Sequence, residues 1–172
     1  MKLQNKTIIV LVHELFEDLE LWYPVHRLRE EGAKVFIAGS DKDKEYKGKH
    51  GVPAKSNMKV SEVNLDNVDG IVVPGGYAPD KLRRYPEVTD LIKRADDKGL
   101  PLAMICHAGW VMISAGILKG RKATSVGAIK DDMVNAGTRW VDEPVVVDKN
   151  LVSSRTPADM HVYMKSYIGL FE

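Results

Sequence analysis

The stretch Pro101-Leu102-Ala103-Met104-Ile105-Cys106-His107-Ala108-Gly109-Trp110-Val111 passes abruptly from four consecutive apolar residues into a helix-period pattern through Val111, Ser114, Ala115 and Leu118. A short apolar run of this kind suits a strand buried on both faces of a parallel sheet. The only cysteine of the chain stands at the join. Similar runs recur at 8–12, 35–38, 71–73 and 145–147. Helical stripes lie between them. Leu21, Val25 and Leu28 precede Gly32, which suits a helix stop. Val88, Leu91, Ile92 and Ala95 are bracketed by Pro86 and Gly99. Met160, Tyr163, Met164, Tyr167, Ile168 and Phe171 follow Pro157. These stripes read as core faces. Alternating strand and helix patterns predict an α/β three-layer sandwich, with helices on both faces of a mainly parallel sheet. Near the C-terminus, Asp148-Lys149-Asn150 separates two apolar runs and predicts a hairpin.

The 172 residues suffice for one such sandwich. No repeat, low-complexity tract or linker divides them, so one domain over residues 1–172 is expected. The 25 basic and 24 acidic residues give a net charge of +1. That balance offers no electrostatic footprint for nucleic acid or an anionic membrane. Lys42, Lys44, Lys47 and Lys49 alternate with Asp41, Asp43 and Glu45, as in a solvated loop. One cysteine excludes an internal disulfide and a thiolate zinc cluster, and it fits a reducing compartment. No run approaches the ~20 apolar residues of a membrane span, and a cytoplasmic protein is expected. His13, His26, His50, His107 and His161 form no i, i+4 ligand pair, so neither metal nor cofactor is expected.

Ligands of open α/β sheets bind outside the carboxyl ends of the strands. Three segments fall there: His13-Glu14-Leu15-Phe16-Glu17-Asp18, Pro74-Gly75-Gly76-Tyr77-Ala78-Pro79-Asp80, and Cys106-His107-Ala108-Gly109-Trp110. At a strand-to-helix turn, Cys106 reads as a thiol acidified by a helix N-terminus, on a turn like a nucleophile elbow. It reads equally as a small buried apolar residue. His107 can orient a substrate, move a proton or bond nearby backbone, and its adjacency to Cys106 does not require contact with the sulfur. Gly75 and Gly76 permit close backbone approach. Their N–H groups, with that of His107, make a candidate oxyanion hole, or the pair is a plain turn. Glu17 helps a thiolate only when protonated, or when acting as acid/base on a substrate. Its other reading is an acidic residue at a helix start whose N-cap is Asp18. Asp80 reads as a cap or turn residue.

Taken together, these segments, with Gly48-Lys49-His50-Gly51, residues 129–137 and Ser153-Ser154-Arg155-Thr156-Pro157-Ala158-Asp159, resemble the PfpI family of intracellular cysteine hydrolases. The resemblance runs from about Thr7 to Phe171. It implies a flavodoxin-like fold of the class I glutamine amidotransferase-like superfamily, which also holds the parkinsonism-associated stress protein. It implies Cys106 as nucleophile, His107 as its catalytic partner, and Glu17 as the protonated acid touching sulfur. It also implies Asp80 in place of a Glu that reaches across a subunit contact. The shorter Asp80 weakens the proteolytic triad. The usual Cys-His-Gly-Pro-Gln becomes Cys-His-Ala-Gly-Trp, so Trp110 adds apolar surface beside the pocket or at a subunit contact. A homo-oligomer, dimer or hexamer, is implied.

The function expected is carbonyl chemistry through a Cys106 covalent intermediate. Its substrates would be peptide or amide bonds, glycated side chains, or 2-oxoaldehydes such as methylglyoxal. The alternative is a non-enzymatic oxidative-stress sensor or chaperone acting through Cys106 oxidation.

Overall fold

The computed structural model describes residues 1–172. In chain order the elements are β1 (Thr7–Leu11), α1 (Asp18–Glu30), β2 (Lys34–Gly39), β3 (Glu45–Lys47), β4 (Pro53–Lys55), β5 (Met58–Lys59), β6 (Gly70–Val73), α2 (Ala78–Leu82), α3 (Pro86–Asp97), β7 (Leu102–Ile105), α4 (Gly109–Ser114), β8 (Lys122–Ala123), α5 (Lys130–Asn135), β9 (Arg139–Trp140), β10 (Val145–Asp148), β11 (Leu151–Ser154) and α6 (Met160–Gly169). Seven strands form one sheet in the order β10-β11-β7-β6-β1-β2-β5. All its pairings are parallel except β10 with β11. The four residues of β6, of β7 and of β11 are all buried, as the uninterrupted apolar runs required for β6 and β7.

Strand order reverses between β1 and β6. Right-handed crossovers therefore carry α1 to one face and α3 to the other. The helix α6 packs beside α1, and α4 beside α2 and α3. The expected three layers and mainly parallel sheet are thus present. The reversal opens a crevice at the carboxyl edge, where β1, β6 and β7 deliver their following loops side by side.

Several local readings change. Asp148 pairs with Leu151, so the hairpin turn is two residues, Lys149-Asn150, with Lys149 at φ +56°. The lysine-rich stretch is partly a ribbon of β3 and β4 rather than only a loop. The pattern after Cys106 yields a short helix: α4 ends at Ser114, and Gly116 at φ +72° turns the chain away before Leu118. Pro24 lies inside α1. At the amino edge of the strands Lys2 pairs with Glu172, beside the contact of Leu3 N–H with the Glu31 carbonyl. No helix is long and apolar enough to cross a membrane.

Candidate active site

Cys106 follows the last residue of β7 and adopts φ +60°, the left-handed region that a side chain ordinarily avoids. A single 3₁₀ turn, Cys106–Ala108, then leads into α4. This is the elbow geometry: the thiol is thrust out of the chain's path, half-buried, at the carboxyl edge. The backbone N–H groups of Gly76 and His107 face its sulfur and favour the thiolate. Nδ1 of His107 lies 3.2 Å from Sγ, so the two neighbours do touch.

The acid beside the sulfur is Glu20, not Glu17. Glu17 is the N-cap of α1, with Oε2 accepting from Glu20 N–H at 2.9 Å. Its other oxygen faces His50 Nε2 at 3.6 Å. The expected N-cap, Asp18, is instead the first helical residue. Its carboxylate accepts from His50 N–H at 2.9 Å and Val52 N–H at 2.8 Å. Three residues into the helix, Glu20 swings inward and is fully buried. Its Oε2 accepts from Gly75 N–H at 2.8 Å, and its carboxyl interacts with the Cys106 thiol. Oε1 has no hydrogen-bond partner in the fold. A proton carried there gives that atom a donor to offer toward the thiol.

Electrostatics agree with a protonated Glu20. Burial, then the Glu17 carboxylate, raise it to about 8. Burial and the Glu20 carboxylate push the Cys106 thiol up to about 12. The expected acidification by a helix N-terminus is therefore outweighed: the helix is short, and desolvation acts directly on sulfur. The Coulombic part of that rise exists only while Glu20 is charged. The two groups are coupled, ionisation of each opposing that of the other. The Gly76 and His107 N–H groups favour charge on sulfur, as does a proton held on Glu20. Burial, then Lys49, lower His107, so its imidazole is neutral at neutral pH.

The glycine turn is required by packing. A Cβ on Gly75 would strike Glu20 Oε2 and Cys106 Cβ, and one on Gly76 would strike the backbone of Leu15, Phe16 and Glu17. Gly76 also needs its φ of +78°. The expected oxyanion hole changes accordingly. Gly75 N–H is committed to Glu20, leaving the Gly76 and His107 N–H groups beside the sulfur.

Trp110 borders His107, with ring centroids 5.1 Å apart. Asp80, in α2, is half-exposed and pairs with Arg84 at 2.6 Å. No hydrogen bond joins it to His107 within the chain. Sequence reasoning missed Glu20, although Leu21, Pro24, Val25 and Leu28 mark the buried face on which it lies. The largest surface cavity, about 640 Å³ and lined by Asp96, Lys119, Arg121 and Asn150 among others, lies at the opposite edge of the sheet.

Residues 6–169 match the model of the DJ-1/PfpI family. The chain is 46% identical over 165 residues to "Deglycase PfpI" of Pyrococcus furiosus, covering 96% of this chain and 99% of that one. It is 35% identical over 168 residues to "Putative cysteine protease YraA" of Bacillus subtilis, covering 98% and 99%. Among solved structures, the two-domain protein of Anabaena variabilis, with DJ-1/ThiJ/PfpI-like and ferritin-like domains, matches with a TM-score of 0.94 at 35% identity. That match covers 95% of this chain and 47% of the other. DJ-1β of Drosophila melanogaster matches with a TM-score of 0.89 at 28% identity, covering 96% and 90%. With its elbow cysteine and glycine turn, this chain belongs to the DJ-1/PfpI family.

Proposed function

We propose that the protein is a cysteine-nucleophile enzyme acting on small carbonyl substrates, 2-oxoaldehydes such as methylglyoxal and their adducts on amines, with Cys106, Glu20 and His107 as its working groups. The observation that carries this reading is the sulfur held between a buried, protonated carboxyl and a neutral imidazole. The Cys106 thiolate adds to the aldehyde carbon, forming an S–C bond while the carbonyl electron pair moves to oxygen. The Glu20 O–H supplies that oxygen's proton, while the N–H groups at the site stabilise the developing charge. A base at the site, the Glu20 carboxylate or His107, then takes the proton from the thiol-bearing carbon and returns it to the adjacent carbon, while the hydroxyl proton passes to the ketone oxygen. This leaves a thioester of a 2-hydroxy acid. Water cleaves it, releasing the acid and restoring the thiol. In an amine adduct the C–N bond breaks first, the nitrogen taking the hydroxyl proton, so free amine leaves and the aldehyde is what the thiolate attacks.

Peptide hydrolysis is the weaker reading, because Asp80 is engaged by Arg84 and no acid orients His107 within the chain. We also read the apolar residues Leu15, Leu19, Tyr23 and Val52, exposed around the Glu17 turn, as a contact between copies. Cys106→Ser should abolish turnover of methylglyoxal and of a methylglyoxal-treated amino acid, measured as 2-hydroxy acid formed. Retained activity in that variant removes the nucleophile from this account.

A further inference from the structure

We propose that Arg83 and Trp110 form a carboxylate-recognising shelf at the rim of the Cys106 site, so that the preferred substrate carries its own carboxylate, as an adduct on a free amino acid does. The inference rests on the reading of Cys106 as nucleophile.

Trp110 is fixed on two sides. Its Nε1 donates to Asp132 Oδ2 at 2.8 Å, and its ring lies against His107 at a 57° tilt. The guanidinium of Arg83 sits over the same indole, 5.8 Å from its centroid, with Nε donating to Ser114 Oγ at 2.9 Å. Stacking and the Nε bond hold the guanidinium in place. Its two terminal nitrogens nevertheless have no carboxylate partner. The acids of the same rim are engaged elsewhere, Asp80 by Arg84 and Asp132 by Trp110. Arg121 and Arg155, by contrast, each face carboxylates of the chain.

A planar fork with an open edge takes a carboxylate through two parallel N–H bonds. One that is already immobilised loses little freedom on doing so. Sγ, His107, Trp110 and Arg83 follow one another outward, each against the next. An imidazole and an indole thus separate the reacting sulfur from the guanidinium. That spacing suits a carbonyl on a long side chain whose α-carboxylate reaches the rim, and it is too great for a two-carbon oxo acid.

The test uses alkylation of Cys106, which needs no turnover. N-iodoacetyl-6-aminohexanoate and its carboxamide differ only in the terminal charge. In both, sulfur displaces iodide and the thiol proton passes to solvent. The carboxylate probe should label wild-type Cys106 at least about tenfold faster, read by mass spectrometry. The ratio should collapse to about one in Arg83→Met and persist in Lys49→Met, which separates the shelf from the general field of the nearby Lys49 ammonium. If Arg83→Met does not fold, Arg83→Lys should lower the ratio by replacing the fork with a point charge. A wild-type ratio near one, a ratio that survives loss of the Arg83 fork, or a ratio abolished in Lys49→Met overturns the proposal. Preferential labelling without turnover of any carbonyl compound would instead defeat the functional reading and leave the shelf standing.

Discussion

At Cys106 the backbone holds a side chain at φ +60°, a conformation that costs about 1–3 kcal/mol and persists because the sheet and the glycine turn fix both sides of it. Glu20 adds a second local cost, because a buried carboxyl raised to about 8 opposes its own ionisation. Between its unfolded value near 4.5 and about 8, the folded state holds a proton that the unfolded state has lost. Stability therefore falls as pH rises through that window, on the order of a few kcal/mol. Glu20→Gln removes the titration, and thermal melts between pH 4.5 and 8 should flatten relative to wild type. An unchanged slope would mean that Glu20 is not the protonated group. The same variant keeps an N–H donor to sulfur but cannot transfer a proton. Turnover should fall by about 10²–10⁴-fold, and the midpoint of Cys106 alkylation should move upward. Glu17→Gln should leave the larger part of turnover, since Glu17 caps the helix rather than touching sulfur.

At the scale of elements, the site depends on how α1 begins. The Asp18 carboxylate ties residues 50 and 52 to the first turn of the helix, and Gly48 is packed so closely on Asp18 that no Cβ fits. Asp18→Ala should cost about 2–4 kcal/mol and speed amide exchange at His50 and Val52. Unaltered protection there would count against the latch. The same first turn limits what could be read beforehand. Glu17, Asp18 and Glu20 crowd one turn, and a one-residue error in the N-cap changes which acid points inward. The strand-to-helix join at Cys106 was legible because apolar runs and helical stripes report burial directly. The choice between Glu17 and Glu20, and the contact of His107 with sulfur, were not, because they depend on side-chain direction at a turn. Likewise the hairpin of β10 and β11 was visible locally, whereas the parallel pairing of β11 with β7 is a long-range choice that no short pattern encodes. Pro24, having no N–H, leaves the Glu20 carbonyl without its usual helical partner.

For the molecule as a whole, the reversal of strand order brings three loops to one edge, and apolar residues lie exposed beside them. Sedimentation should find wild-type protein self-associated, and Leu19→Glu should shift it toward monomer. A wild-type monomer at all concentrations tested would remove the proposed contact between copies. The pairing of Lys2 with Glu172 acts at this scale too. Both residues lie at the edge of the sheet away from Cys106, close enough for a short peptide to bridge them. Residues 2 and 172 are thus clasped together, away from the reacting groups. Cargo tethered at that seam would hang on the far side of the sheet from the substrate's approach.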